Sequence, residues 1–514
     1  SLIETLGFNK ARCLYHGASI IRKFDDEGDD SSSKEELATV LFREAEEKCR
    51  ETNRRFRTGC PFTEPLLLNT AKLFVSQVLG PSLPPIDDVV DCRHGPGASV
   101  GATRETDAYF KYASLPYACP THALGLARLF ILADERWCRA LVARLRPQHD
   151  LEGDLHPSRV LRWDRAVWSE ILAPCDSNRV CFVPKDREKF RTIGVEPVMG
   201  IYLGLGYDSW IRGRLRVFGI DLNDQTKNQE AARLGSMGGS FATIDLSMAS
   251  DTLCTELCRA ILPHQWFILL MALRSSRGSL KGESFSYEKI SSMGNALTFS
   301  METLVFLAIC WSALRCAGIP FTLGKNLLAY GDDLVIPCEG YEAVSLALRE
   351  AGFSVNDAKS FFEGRTRESC GMEFHNGTPI RPLFLRRKPN SLEEFIAQRN
   401  NVIVSILSLG GKIKDAVDLF DAWAPPGIPR GPYKGDRVAS WFFSQRGRRV
   451  PDVHGTFRVR AVHTVQITEE EIVDEYSLLL KNPLRSHPPR PAVLKKHRRR
   501  SEPTDEPDGY ALVS

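Results

Sequence analysis

Two short apolar runs, Leu327-Leu328-Ala329-Tyr330 and Leu334-Val335-Ile336, flank Gly331-Asp332-Asp333, and no other feature constrains the fold of this chain as tightly. Runs of this length and composition read as buried strands, and glycine supplies the positive φ that a two-residue hairpin turn requires. The spacing therefore predicts an antiparallel hairpin that presents two adjacent carboxylates at its tip. Adjacent carboxylates repel each other, and a fold tolerates them best on exposed surface or around a cation. A surface Asp-Asp turn is the commoner origin of such a string. Here the apolar flanks favour a cation site at the edge of a buried sheet.

A second acidic group has the same design. Phe241-Ala242-Thr243-Ile244 reads as a strand ending in Asp245, and the run through Ser250-Asp251 leads into a helix. Three carboxylates at two strand ends, Asp245, Asp332 and Asp333, suit two Mg²⁺ ions about 4 Å apart, the spacing used for in-line phosphoryl displacement, with Mn²⁺ as an alternative. One ion would activate an attacking hydroxyl, and the other would neutralise a triphosphate and its leaving pyrophosphate.

Charge elsewhere complements these acids. Val180 to Pro184, a charged turn and a second strand carry Lys185, Arg187, Lys189 and Arg191 at alternating positions. Alternation predicts one side of a ribbon, able to line a channel for a triphosphate; a solvated hairpin face is the plainer alternative. Ser291-Ser292-Met293-Gly294-Asn295 precedes an apolar helix containing Glu302. Small residues there let backbone approach a ligand closely, and Asn295 offers donor and acceptor to a sugar hydroxyl. Helix N-capping by Ser292 or Asn295 is the alternative.

The remaining pattern sets the frame. Over residues 176–375 short β-rich runs alternate with helical stretches, an α+β arrangement. Ser33-x-x-Glu36 has the form of a capping box, and a helix is expected from there to about Arg50 with Leu37, Val40 and Leu41 on its buried face. Pro425 to Gly435 is a boundary candidate, and the basic, proline-containing stretch from Lys481 to Arg500 followed by acids reads as a disordered tail. The charge balance, 67 Lys and Arg against 64 Asp and Glu, leaves a polyanion partner open, because distribution rather than net charge decides that.

The 14 cysteines include no C-x-x-C pair, and Cys254 and Cys258 lack the further ligands of a zinc site. Reduced thiols in a cytoplasmic setting are expected. The longest apolar run, Leu304 to Trp311, falls short of the roughly 20 residues a bilayer requires, so no membrane partner is expected. His94-Gly95-Pro96-Gly97-Ala98-Ser99 reads as a structural loop, and no Ser/His/Asp arrangement near it supports nucleophilic catalysis.

Taken in order, the basic ribbon, Asp245-x5-Asp251, Ser291 to Asn295, Tyr330-Gly331-Asp332-Asp333 and Arg367-Glu368-Ser369-Cys370-Gly371 resemble the ordered motifs of viral RNA-dependent RNA polymerases. Gly219-Ile220-Asp221-Leu222-Asn223-Asp224-Gln225 and the Arg367 string make the chain most similar to the replicase catalytic (beta) subunits of levivirus-type single-stranded RNA phages. The resemblance implies a right-handed fingers, palm and thumb fold with an antiparallel palm sheet. It divides the chain into an N-terminal region and fingers (1–175), fingers with the basic ribbon (176–240), a palm (241–375), a thumb or C-terminal region (376–480) and a tail (481–514).

By the same resemblance, Asp245, Asp332 and Asp333 hold the metals, and Lys185, Arg187 and Arg191 hold the triphosphate. Asp251 and Asn295 read the ribose, Ser292 contributes to nucleotide binding, and Lys359 protonates pyrophosphate; a solvated Lys after a strand is the alternative for Lys359. Five residues separate Asp245 from Asp251, one more than in many viral polymerases, which leaves Ser250 as an alternative to Asp251. The implied partners are RNA template and product, ribonucleoside triphosphates, host elongation factors Tu and Ts and a host ribosomal protein. The implied location is the cytoplasm of an infected bacterium.

Two other readings share some of these features. A reverse transcriptase usually has a non-glycine residue before Asp-Asp and a bulky gate after the first aspartate, unlike Gly331 and the polar Ser247 to Asp251 run. An RNA-binding protein with a dead catalytic centre needs basic and aromatic surface rather than three retained carboxylates.

Overall fold

The computed structural model describes residues 7–19, 31–102, 107–145, 164–186, 189–385 and 388–409, together with a helix at 475–481 and scattered segments between 422 and 513. Helices and strands are mixed throughout, as an α+β pattern expects.

Helix α1 (Ser31–Thr58) is longer than its sequence signals suggest. Ser33 lies inside its first turn rather than capping it, and the helix continues past Arg50 to Thr58. The buried stripe is Ala38, Phe42, Ala45 and Cys49, while Leu37 and Val40 are 41% and 51% exposed and Leu41 is half-buried. The local apolar cluster misled the phase: a 3.6-residue stripe passes through small residues and Phe42, and the larger aliphatics fall beside it. Helix α2 (Leu67–Leu79) is amphipathic and buries Phe74, Val75 and Val78.

Strands β1 (Ser177–Pro184) and β2 (Phe190–Val195) form an antiparallel hairpin. Helices α3 (Val198–Val217) and α4 (Thr226–Gly238) follow, and then strands β3 (Phe241–Ile244) and β4 (Leu246–Ser247) and helix α5 (Thr255–Ile261). Strands β5 (Arg277–Leu280) and β6 (Glu283–Ser286) extend the first hairpin into a four-stranded sheet, β5 pairing with β1 in parallel. Helix α6 (Thr298–Cys316) leads to β7 (Leu328–Tyr330) and β8 (Asp333–Pro337), then helix α7 (Tyr341–Glu350) and strands β9 (Ser354–Val355), β10 (Thr366–Ser369) and β11 (Met372–His375).

The central sheet has the order β3-β8-β7 and is antiparallel throughout. Its strands bury Ala242, Ile244, Leu334, Val335 and Ile336 in the main core, which α6 fills almost side chain for side chain. Helix α6 packs against α2 and α7. By length and composition α6 is apolar enough to cross a membrane, although the uninterrupted apolar run within it is shorter; 78% of it is buried inside the protein, which marks a core helix. Near the C-terminus the stretch read as a disordered tail includes strand β13 (Val493–Pro503), whose backbone pairs antiparallel with β12 (Val462–Ile472).

Candidate active site

The hairpin forms as its sequence requires. Asp333 pairs with Tyr330 across a two-residue turn, and Gly331 adopts φ +62°. A Cβ at Gly331 would lie 2.6 Å from Phe299 Cε2 and 3.3 Å from Glu302 Oε1, so the turn rests directly on the first turns of α6 and only glycine fits there. The backbone N–H of Gly331 donates to Thr303 Oγ1 at 3.0 Å, fixing the turn to the same helix.

The β3–β8 ladder ends at Ile244 and Leu334, so Asp245 and Asp333 are the next residues of the two strands, at the end where the pairing stops. Asp245 sits on a seam: β3 belongs to the central sheet, whereas β4, directly after it, pairs with β9. Its carboxylate Oδ2 accepts from Asn356 Nδ2 at 2.7 Å, and its backbone oxygen accepts from the Asn356 N–H at 2.9 Å. Asp333 Oδ1 accepts from the Cys370 N–H at 2.9 Å, and the Asp333 backbone oxygen accepts from Asn228 Nδ2 at 3.1 Å. The Arg367 to Gly371 string thus supports one of the paired carboxylates from β10. Arg367 itself is fully buried and donates to backbone oxygens of Phe241, Phe362, Glu363, Gly364 and Thr366.

Crowding of like charge in a poorly hydrated setting raises the carboxyl pKa values. Asp333 is pushed up to about 7, first by burial and then further by Asp332 and Asp245, against the opposing Cys370 hydrogen bond. Asp332 is raised by burial and by Asp245, with Arg191 and Lys359 pulling the other way. Glu302, beneath the turn, is pushed up to about 9 by burial, Asp332 and Asp251, and its Oε2 has no hydrogen-bond partner among the described residues.

Positive charge converges on the same place. Lys359 Nζ lies 3.9 Å from Asp245 Oδ1. It reaches toward the carboxylates while about half of its side chain stays in solvent. The pKa of Lys185 is lowered by desolvation and then by Arg191 and Lys359, with Asp245 opposing. Lys185, Arg191 and Lys359 thus share one field with the acids. The Lys185 and Asp186 N–H groups both donate to the Lys189 backbone oxygen, and Arg191 pairs with Val183, so the hairpin register places Lys185, Lys189 and Arg191 on one face of the ribbon. Arg187 lies outside the described residues.

The remaining predicted positions are held by hydrogen bonds within the chain. Asn295 Oδ1 accepts from the Leu297 N–H at 3.0 Å without capping the helix, whose N-cap is Leu297 with no side-chain cap, and its side chain opposes the burial-driven rise of the Glu196 carboxyl pKa. Glu196 is further held by Asn178 at 2.8 Å and Ser275 at 2.6 Å. Ser292 is buried, and its backbone oxygen accepts from Thr298 Oγ1 at 2.9 Å. Gly294, at φ +102°, is needed for a close approach of another kind from the one expected: a Cβ there would lie 2.5 Å from the Gly194 oxygen, so the loop is pressed against β2. Asp251 is buried, with Oδ1 2.7 Å from Lys289 Nζ.

Sequence reasoning missed Asn356, Lys289, Glu196 and Asn228. Asn356 had a readable signal, a polar residue directly after a strand and three before Lys359. The other three lie far along the chain from what they hold.

Three oxygen donors of one charge type suit a hard divalent cation. Among the described residues no three Asp, Glu, His or Cys side chains close around a single point as metal ligands.

Comparison with known proteins matches residues 7–411 to the family model described as "RNA replicase, beta-chain". The RNA-directed RNA polymerase subunit beta of Enterobacteria phage SP is 33% identical over 405 residues, covering 77% of this chain and 64% of that protein. The subunit of the same name from Escherichia virus Qbeta is 32% identical over 404 residues, covering 76% and 62%. The RNA-directed RNA polymerase beta chain of Escherichia phage MS2 is 39% identical over 215 residues, covering 42% and 39%. The chain thus spans a little under two thirds of the length of the SP and Qbeta proteins.

Proposed function

The chain belongs to the RNA replicase beta-chain family, and from that premise we propose that it is an RNA-directed RNA polymerase, copying an RNA template from ribonucleoside triphosphates with release of pyrophosphate. The observation that carries the reading is the grouping of Asp245, Asp332 and Asp333 at one end of an antiparallel sheet, faced by Lys185, Arg191 and Lys359. In this reading the central sheet is the palm, the β1–β2 hairpin belongs to the fingers and residues 376–480 to the thumb.

Asp245, Asp332 and Asp333 would hold two divalent cations, most simply Mg²⁺. Such ions supply activation of the primer hydroxyl and neutralisation of the phosphates. The protein's own residues do the positioning. Lys185 and Arg191 draw the triphosphate toward the acids, and Arg187 would join them. Lys359 stands where a proton can pass to the departing pyrophosphate. Asn356 and the Cys370 N–H fix the orientation of Asp245 and Asp333, so little reorganisation is left for the reaction itself. Asp251 and Asn295 would recognise the ribose, and Ser292 would contribute to nucleotide binding.

The relatives are named as beta subunits, which supports assembly with other subunits. Host elongation factors Tu and Ts and a ribosomal protein are the partners this reading takes, in the cytoplasm of the infected bacterium. The test is primer-free copying of a structured and a homopolymeric RNA. Template-dependent product from ribonucleotides is expected, and equal use of deoxyribonucleotides would overturn the reading.

A further inference from the structure

Lys289 is a fully buried charge that no part of the proposed chemistry uses. Its Nζ lies 2.7 Å from Asp251 Oδ1 and 3.3 Å from Glu46 Oε1, and it sits 4.2 Å from the centre of the Phe42 ring and 5.4 Å from that of Tyr287. Burial disfavours its ammonium charge, but Asp251 and then Glu46 outweigh that and raise its pKa, so it stays protonated. A buried ion pair of this kind is a weak source of stability, since apolar residues of similar volume often do as well.

Nor is the pair needed to join the segments it links. Lys289 and Cys254 already form a backbone bridge, and the Ile290 N–H donates to the Leu253 oxygen at 2.8 Å. What the ion pair adds is the direction of the Asp251 carboxylate. The two aromatic rings and Glu46 confine Nζ, so it cannot follow Asp251 if that side chain turns. Oδ1 is committed to Lys289, which leaves Oδ2 for a ligand. Asp251 and Asp332 both raise the Glu302 pKa, which puts Asp251 in the field of the carboxylate centre.

We propose that Lys289 is a positioning residue for sugar selection: it holds Asp251 so that one carboxylate oxygen meets the ribose 2′-hydroxyl of the incoming nucleotide. This rests on the polymerase reading above. The sequence spacing around Asp251 is unusual, and a fixed lysine beneath it supplies the orientation that spacing alone does not.

The test uses the full chain and compares kcat/KM for UTP with that for dUTP. In Lys289→Met the ribose preference falls at least tenfold, with the loss in KM for UTP rather than in kcat. Asp251→Ala shows a similar loss, and the double variant loses little more than either single one, because both remove one interaction. Where Lys289→Met fails to fold, Lys289→Gln keeps a neutral donor and is expected to show a smaller loss, of at least threefold. Glu46→Gln leaves the Lys289–Asp251 pair in place and keeps the preference within twofold. A folded Lys289 variant with unchanged preference, losses that multiply in the double variant, or a tenfold fall in Glu46→Gln overturns the proposal. If the unmodified chain uses both sugars alike, the polymerase reading fails first; a selective unmodified chain with indifferent Lys289 variants refutes the role of Lys289 alone.

Discussion

Replacing Gly331 by alanine tests how the carboxylate turn is seated. Gly331 holds φ +62°, where an L-residue costs about 1–2 kcal/mol. The added Cβ would lie 2.6 Å from Phe299 Cε2, well inside contact. Phe299 has little room to retreat: its ring meets Tyr330 edge-on at 5.0 Å and 69°, and the Arg212 guanidinium sits 5.3 Å from its centre. Overpacking of this kind adds about 1–3 kcal/mol. The sum is about 2–5 kcal/mol, which at about 1 °C per kcal/mol for a chain of this length lowers the thermal unfolding midpoint by roughly 2–5 °C. Phe299→Leu opens space at the clash without changing φ, so in the double variant the second substitution should recover part of the loss, a coupling of about 1–2 kcal/mol. A Gly331→Ala chain within about 0.5 kcal/mol of the original, the range of an ordinary surface change, would show that the turn is not seated against Phe299 in this way.

Two further outcomes follow from buried polar groups. His94 is buried against Tyr112 and Tyr202, neither ring nitrogen has a hydrogen-bond partner among the described residues, and its pKa is lowered to about 3 by burial and Lys111. The unfolded chain takes up a proton near pH 6.5 and the folded one does not, so stability present above that pH is lost as pH falls toward 3; in His94→Phe denaturant titrations should show a weaker loss over this window. Arg367→Ala strands the five backbone oxygens it serves and should cost about 3–5 kcal/mol by thermal unfolding, and Arg367→Lys should recover little, because an ammonium cannot span that fan of acceptors.

The centre was legible where local rules dominate. Gly331 between two apolar runs specifies a hairpin because few other residues fit that turn, and the strand ending at Asp245 follows from four apolar or β-favouring residues in a row. The supports of the site were not legible. Lys289 and Asp251, or Glu196 and Asn295, are far apart along the chain, and nothing in a lysine or glutamate announces that it will be buried. Gly294 was read as space for a ligand, whereas the structure gives that space to the Gly194 backbone. The phase of α1 failed for a related reason. Its buried side is defined by Ala38, Ala45 and Cys49, small residues whose value depends on the partner surface, while exposed Leu37 and Val40 carry the stronger hydrophobic signal.

In the proposed reaction, nucleotide addition depends on the carboxylates at the end of the β3-β8-β7 sheet. The most direct measurement of that dependence is single-nucleotide extension of an RNA by Asp332→Asn, with RNA affinity and thermal unfolding followed on the same preparation. Asn keeps the shape and removes the charge, so addition should fall by at least about a hundredfold while the fold persists and RNA affinity changes by less than about threefold. Undiminished extension by folded Asp332→Asn would contradict that dependence.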